Sequence, residues 1–231
     1  MKRRDIARAL TGAATLLALP PGKPSSLPPA TLPPFSALRL RSRLDVLRLA
    51  FEAKKQHVSP ALQAGLSETQ LRNRCSWFPS RLPDELVALY GWHDGQPLPA
   101  GEERYPFWFR DCGFTCIRNA EKEYESIMST YGAKPPLQEF LKHSFPFAAF
   151  DGGWLVLPCK QRHPDSPYEH AVVSVMQGVD LWFYSMESMV ETCIGWVTDP
   201  GYPHWANKAL ENEIWEKNNP GIFQRQNRTR W

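Results

Sequence analysis

The sequence lacks a long hydrophobic run and the short motifs of the common nucleotide and acyl-transfer sites. No apolar stretch in the 231 residues reaches the roughly 20 residues that a membrane-spanning helix needs. There is no Gly-rich phosphate loop, no dinucleotide fingerprint and no Gly-x-Ser-x-Gly elbow. A mature transmembrane segment is therefore not expected, and neither a nucleotide-dependent enzyme nor an α/β-hydrolase has a supporting motif.

Cysteine is scarce as well, with five residues in the chain. Cys112 and Cys116 form a C-x3-C pair, and no second pair follows at the spacing of a zinc ribbon. Buried reduced thiols are the expected state. If the chain is exported, one or two disulfides with one thiol left free are the alternative.

Aromatic residues and proline are plentiful. The hydrophobic content of 42%, with nine Trp and twelve Phe, is ample for a packed core in one domain plus tails. The 22 prolines are about twice the average share of roughly 5%, and seven of them fall in residues 20–34. That segment is predicted to be a stiff, unfolded spacer.

The net charge of +3 conceals an uneven distribution. Residues 1–48 carry nine Lys/Arg against two Asp, residues 49–217 carry 15 Lys/Arg against 22 Asp/Glu, and residues 218–231 add three Arg as a basic tail. An acidic domain repels phosphates and so disfavours nucleic acid as its ligand. It suits a basic protein partner, and a solvated acidic face kept for solubility is the alternative.

The first residues have the plan of an export signal. In "MKRRDIARALTGAATLLALPPG" a basic zone with Arg3 and Arg4 precedes a mildly apolar zone that ends at Pro20 and Pro21. This order resembles a twin-arginine signal and predicts export to the periplasm, with residues 1–34 forming a signal and a disordered linker. No A-x-A cleavage site follows the apolar zone, so a basic leader on a cytoplasmic protein is the alternative.

Helical periodicity marks several segments. Leu40, Leu44, Leu47 and Phe51 fall on one face and predict a helix from 38 to 55, and Ser67 is the expected N-cap of a helix at 67–77. Further helices are expected near 120–131, 135–143, 186–196 and 206–217.

The stretch "LPDELVALYGWHDGQP" at 82–97 predicts a helix followed by a turn. Pro83 suits the first helical position, Gly91 suits a left-handed C-cap, and Gly95 accepts the positive φ of a turn. His93 and Asp94 lie between them with no nucleophile at motif spacing, so each is expected to have a structural role.

Two hairpins are predicted in the second half of the chain. "FPFAAFDGGWLVLPC" at 145–159 reads as strand, Asp151-Gly152-Gly153 turn and strand, and 169–185 reads as a second hairpin around Gly178. Helices, then hairpins, then helices predict a single α+β domain with a mainly antiparallel sheet and surrounding helices.

Three segments in order resemble the SUKH superfamily of fungal cell-wall assembly regulators and bacterial immunity proteins. They are "LPDELVALYGWHDGQ" at 82–96, "FPFAAFDGG" at 145–153 and "FYSMESMVE" at 183–191. The resemblance covers roughly residues 65–200 and implies a SUKH-like domain at 35–217 that binds a protein and is not an enzyme. An immunity protein that neutralises a toxin or effector is expected, and an envelope scaffold is the alternative.

The acidic and aromatic residues around the first of these segments are the candidate partner-binding surface. They are Trp92, Asp94, Glu102, Glu103, Trp108 and Asp111. A metal-dependent hydrolase built on His163 and His170 in "RHPDSPYEH" is a further alternative, although a polar hairpin loop explains those residues more simply. No metal and no cofactor is expected.

Overall fold

A computed structural model describes most of the chain between Pro33 and Ile222. The described residues are 33–54, 62–97, 108–109, 112–131, 135–150, 152–176, 178–201 and 208–222. The predictions for the leader up to residue 32, for Glu102, Glu103, Asp111 and Asp151, and for the tail from residue 223 lie outside these ranges.

The sheet has five strands in their order along the chain, and every neighbouring pair is antiparallel. The strands are β1 (Gly113–Phe114), β2 (Ser144–Phe150), β3 (Gly153–Pro158), β4 (Val172–Val175) and β5 (Val179–Phe183). Both predicted hairpins are confirmed as β2–β3 and β4–β5. Strand β1 was not predicted, because two residues are too few for an alternating pattern.

Seven helices surround this sheet in the described residues. They are α1 (Ala37–Ala53), α2 (Glu68–Arg74), α3 (Asp84–Trp92), α4 (Ile117–Tyr131), α5 (Pro135–Lys142), α6 (Met186–Thr198) and α7 (Lys208–Asn218). The prediction of an α+β fold with an antiparallel sheet and surrounding helices is confirmed. None of the described helices has the length and apolar character needed to cross a bilayer.

The ends of two helices follow directly from the sequence. Ser67 accepts a hydrogen bond from the backbone N–H of Gln70, whose side chain accepts one from Ser67 N in return. Ser185 and Ser188 form the same reciprocal box at the start of α6. Each box satisfies backbone N–H groups that the helix cannot, which is why these boundaries were predictable.

The end of α3 differs from the prediction. Gly91 is helical rather than left-handed, and α3 continues to Trp92 before His93 takes an extended conformation with φ −149°. The reason is that Leu66 N donates to the carbonyl of Tyr90 at 2.9 Å. A neighbouring segment thus satisfies a terminal carbonyl that a glycine C-cap would otherwise serve. At the other end, Pro83 is the N-cap and not the first helical residue.

Helices cover both faces of the sheet, because both faces are apolar. Alternate residues of a strand point to opposite sides. In β3, Leu155 and Leu157 pack in the main core with α1, α3 and α6. Val156 lies between them and packs in a second cluster with Phe140 and Leu141 of α5. The predicted stripe of α1 is wholly buried in the main core.

All five cysteines lie in the described part of the chain, and all are free thiols. Burial raises the pKa of the Cys75 and Cys159 thiols to about 12, with nearby carboxylates adding to the effect. Neither thiol forms a reactive thiolate near neutral pH. The expectation of reduced thiols agrees with this structure.

Candidate functional site

Asp94 is a structural residue that caps a helix from a distant part of the chain. Its side chain is 5% exposed. Oδ1 accepts a hydrogen bond from the backbone N–H of Ile117, the first residue of α4, at 2.9 Å. Oδ2 lies 3.0 Å from Nη1 of Arg74. Burial raises the pKa of Asp94, and both partners oppose that rise. The prediction that Asp94 contacts a partner is therefore wrong, since both carboxylate oxygens are engaged inside the fold.

Replacing Asp94 by alanine is expected to lower the free energy of unfolding by about 2 kcal/mol, because the Ile117 N–H loses its acceptor. Asp94→Asn should cost less than half of that, since an amide oxygen still accepts from this N–H. Urea unfolding of the two variants measures the difference. Equal losses would show that the ion pair with Arg74, and not the cap, provides the stabilisation.

The two candidate tryptophans have different environments. Trp108 is 0% exposed and stacks between Phe51, at 5.2 Å between ring centroids, and Trp92, at 5.8 Å. A buried ring cannot anchor a partner, so this prediction is wrong. Trp92 is half-buried, and its Nε1 donates to Oδ1 of Asp45 at 2.9 Å. A binding role for Trp92 stays a prediction.

The predicted turns at Gly95 and Gly152 are confirmed. Gly95 has φ +58° and Gly152 has φ +77°, both in the left-handed region. Gly153 begins β3 directly after the second turn.

Within the described residues, His163 and His170 form hydrogen bonds to the backbone of their own loops. The ring of His163 is buried, its Nδ1 accepts from the backbone N–H of Asp165 at 3.2 Å, and burial lowers its pKa. His170 donates from Nδ1 to the carbonyl of Pro158 at 3.0 Å. The described residues contain no group of three or more His, Cys, Asp or Glu side chains arranged to hold a metal ion. Each histidine instead fixes its own loop.

The lowered pKa of His163 has a consequence for stability. The unfolded chain takes up a proton near the usual value of 6.5, whereas the folded chain resists it to lower pH. The stability that neutral His163 contributes to the fold is therefore complete above pH 6.5. It is lost as the pH falls below 6.5, by at most about 1.4 kcal/mol per pH unit. Urea unfolding at pH 7 and pH 5 should show a smaller acid loss for His163→Gln than for the wild type. An unchanged pH dependence in the variant would contradict the assignment.

A cleft of about 530 Å³, which we call the acidic cleft, opens on the described surface. It lies where the start of α1, the first turn of α3, the loop before β4, the first turns of α6 and the end of α7 meet. Its charged lining has four carboxylates against two guanidinium groups, and three aromatic rings and one imidazole complete the set: Glu85, Glu169, Glu187, Glu191, Arg39, Arg43, Phe35, Tyr168, Tyr184 and His170.

Two ion pairs hold one side of the acidic cleft. Arg39 of α1 donates to Oε2 of Glu187 from Nε at 2.9 Å and from Nη2 at 2.8 Å. One turn further, Arg43 Nε lies 2.5 Å from Oε1 of Glu191. Both pairs join α1 to α6, and they neutralise two of the four carboxylates. Because these groups are partly exposed, the pairs align the helices more than they stabilise them.

The other two carboxylates of the acidic cleft are those of Glu85 and Glu169. In the described part of the chain, no lysine or arginine is ion-paired with Glu85 or Glu169. Burial raises the pKa of Glu85, the charge of Glu187 raises it further, and His170 lowers it. A cation that entered the cleft would relieve this unfavourable environment.

Aromatic rings form the wall beside these carboxylates. Tyr168 and Tyr184 meet edge to face with 5.3 Å between their centroids. The hydroxyl of Tyr184 donates to the carbonyl of Pro220 at 2.8 Å, which fixes the ring. A fixed aromatic ring next to carboxylates suits a guanidinium or ammonium group, which gains from both.

A second polar cluster joins the loop before α3 to the end of α5. His143 is nearly buried, its Nδ1 lies 2.6 Å from Oγ of Ser80, and its Nε2 lies 3.2 Å from Oε1 of Glu139. With the proton on Nε2, His143 accepts from the Ser80 hydroxyl and donates to Glu139. Lys160 Nζ lies 3.7 Å from the same Glu139 oxygen. Ser80 lines a small cavity of about 210 Å³.

The acidic cleft was not predicted, because its residues come from five separate segments. One signal in the sequence could have suggested it. Arg39 and Arg43 are four residues apart on one helix, and Glu187 and Glu191 are four residues apart on another. Equal spacing of opposite charges is the pattern of two helices that align side by side.

Comparison with protein-family models and with curated proteins finds no match to this chain.

Proposed function

We propose that the chain is a non-catalytic, SUKH-like protein-binding domain that acts as an immunity protein against a basic toxin or effector. The acidic cleft is the observation that carries this proposal. It combines a fixed aromatic wall with two carboxylates, Glu85 and Glu169, that pair with no lysine or arginine among the described residues.

The dimensions of the acidic cleft support binding to a side chain or a short segment of a partner. A volume of about 530 Å³ accommodates a few residues and not a whole domain. Lysine or arginine side chains on a basic partner would pair with the carboxylates of Glu85 and Glu169, and the surplus of acid over base in residues 49–217 would speed the encounter. A toxin that binds phosphates is basic around its cleft and has this chemistry.

The proposal is tested with full-length protein used as an affinity bait, and with a double variant in which Glu85 and Glu169 are both changed to Gln. A control variant carries Glu121→Gln and Glu125→Gln, which remove the same charge from an exposed part of α4. We expect a basic partner to be retained by the wild type and the control and lost with the cleft variant. Coexpression of the wild type should then restore the growth of cells that this partner inhibits.

Two results would contradict the proposal. Equal retention of the basic partner by all three proteins would show that the acidic cleft does not bind it. If the partner keeps its activity in the complex, the role as an immunity protein is contradicted. The alternative of an envelope scaffold, which could use the same cleft to bind its partner, is then favoured.

A serine hydrolase is a second candidate function, favoured by the hydrogen-bonded chain of Ser80, His143 and Glu139. His143 would accept the Ser80 proton as the hydroxyl attacks an ester carbonyl, and would return that proton to the alcohol that leaves as the ester C–O bond breaks. Water would then hydrolyse the acyl-serine to a free acid and regenerate the hydroxyl. Labelling of the wild type with a fluorophosphonate, with Ser80→Ala as control, decides the matter. Our main proposal predicts no covalent adduct at Ser80, and an adduct that Ser80→Ala abolishes would establish the hydrolase instead.

A further inference from the structure

The last described residues of the chain are fastened to the wall of the acidic cleft. The Asn219 side chain accepts from Tyr184 N at 3.1 Å and donates to Oγ1 of Thr192 at the same distance. Ile222 is buried in a cluster with Tyr184 and Tyr168, the two tyrosine rings of the cleft. The chain therefore continues from the edge of this cleft into residue 223.

The residues that follow have the chemistry that the acidic cleft would bind. The segment 223–231 reads "FQRQNRTRW", with three arginines, no acidic residue and an aromatic residue at each end. Arginine pairs with carboxylates through its planar fork and stacks on tyrosine rings. Nine residues span up to about 30 Å when extended, which is ample for a cleft that begins beside Ile222.

We propose that segment 223–231 occupies the acidic cleft, with its arginines against Glu85 and Glu169. The segment is tethered at the edge of the site, so its effective concentration is on the order of millimolar. Even a weak contact between the tail and the cleft is then largely formed.

The consequence for partner choice rests on the proposed function. A basic partner must displace the tail, so the cleft accepts only partners that bind it more tightly than the tail does.

The test uses a fluorescein-labelled synthetic peptide with the sequence of 223–231 and fluorescence anisotropy at low salt. The proteins are the full-length wild type and a full-length tail variant with Arg225, Arg228 and Arg230 changed to Glu. We expect the tail variant to bind the peptide at least about tenfold more tightly than the wild type, because its own tail no longer competes. Adding Glu85→Gln and Glu169→Gln to the tail variant should abolish the gain, and adding Glu121→Gln and Glu125→Gln should preserve it.

Three outcomes would overturn the inference. Equal peptide affinity of the wild type and the tail variant would show that the cleft accepts basic segments without its own tail in place, and the proposed function would stand. A gain from reversing Lys2, Arg3 and Arg4, and not from reversing the tail, would make the leader the occupant. Absence of peptide binding in every protein would refute docking of the tail. The proposed function would still be decided separately, by whether the full-length protein used as affinity bait retains a basic partner.

Discussion

Replacing Gly95 by alanine is expected to lower the free energy of unfolding by about 3 kcal/mol or more, through two effects that act together. The backbone at Gly95 has φ +58°, which costs a residue with a side chain about 1 kcal/mol. A Cβ at this position would also lie 2.6 Å from backbone atoms of both Thr115 and Cys116, and backbone cannot move aside as a side chain can.

The position of Gly95 between two segments explains this crowding. Its carbonyl accepts from Gln63 N at 2.9 Å, and the next residue, Gln96, donates to the carbonyl of Phe114 at 2.7 Å. The turn therefore runs between a loop and the first strand.

Gly152→Ala is the matched control for Gly95→Ala. Gly152 has φ +77°, and a Cβ there would meet nothing within 4 Å. It should lose only about 1 kcal/mol in urea unfolding. Equal losses at Gly95 and Gly152 would show that close packing at Gly95 adds nothing.

Trp108→Ala is expected to lower the free energy of unfolding by about 3–5 kcal/mol, because it removes a large, fully buried ring. The indole stacks on Phe51 of α1 and on Trp92 of α3, so the change would also loosen the contact of these helices with the 108–109 segment.

Trp108→Phe separates the ring from its N–H group. In the described part of the chain, Nε1 of Trp108 is buried without a hydrogen-bond partner, so removing it frees the fold of an unsatisfied donor. We expect Trp108→Phe to lose less than half as much as Trp108→Ala, and Trp92→Ala, at a half-buried ring, to lose less as well. Thermal and urea unfolding give these values. A Trp108→Ala variant that kept its stability and lost a partner would restore the surface role.

The elements that local sequence determines were predicted correctly. The 145–159 hairpin needs only two apolar runs around a glycine turn, and the α2 and α6 starts need only a serine with a partner three residues on. In each case the deciding contacts join residues that are close in sequence.

The features that were missed depend on contacts between distant residues. Asp94 caps a helix that begins 23 residues later, and no local pattern states that pairing. Trp108 was expected on the partner-binding surface, whereas tertiary packing buries it completely. The acidic cleft is formed by side chains from five segments, so it exists only once α1, α3 and α6 have packed together.

The central claim is that the acidic cleft binds a basic partner through Glu85 and Glu169. The most direct measurement is the association rate with the captured partner in stopped-flow mixing, at 50 mM and 500 mM NaCl. Three full-length proteins are compared: the wild type, the variant with Glu85→Gln and Glu169→Gln, and the control with Glu121→Gln and Glu125→Gln.

We expect the wild-type association rate to fall by about tenfold or more between the two salt concentrations, because exposed charges are screened beyond the Debye length. At low salt the cleft variant should associate several-fold more slowly than the wild type and should dissociate faster, since it lacks the paired carboxylates. The control variant should match the wild type. Identical rates for the cleft variant and the control, or a wild-type rate indifferent to salt, would contradict the account.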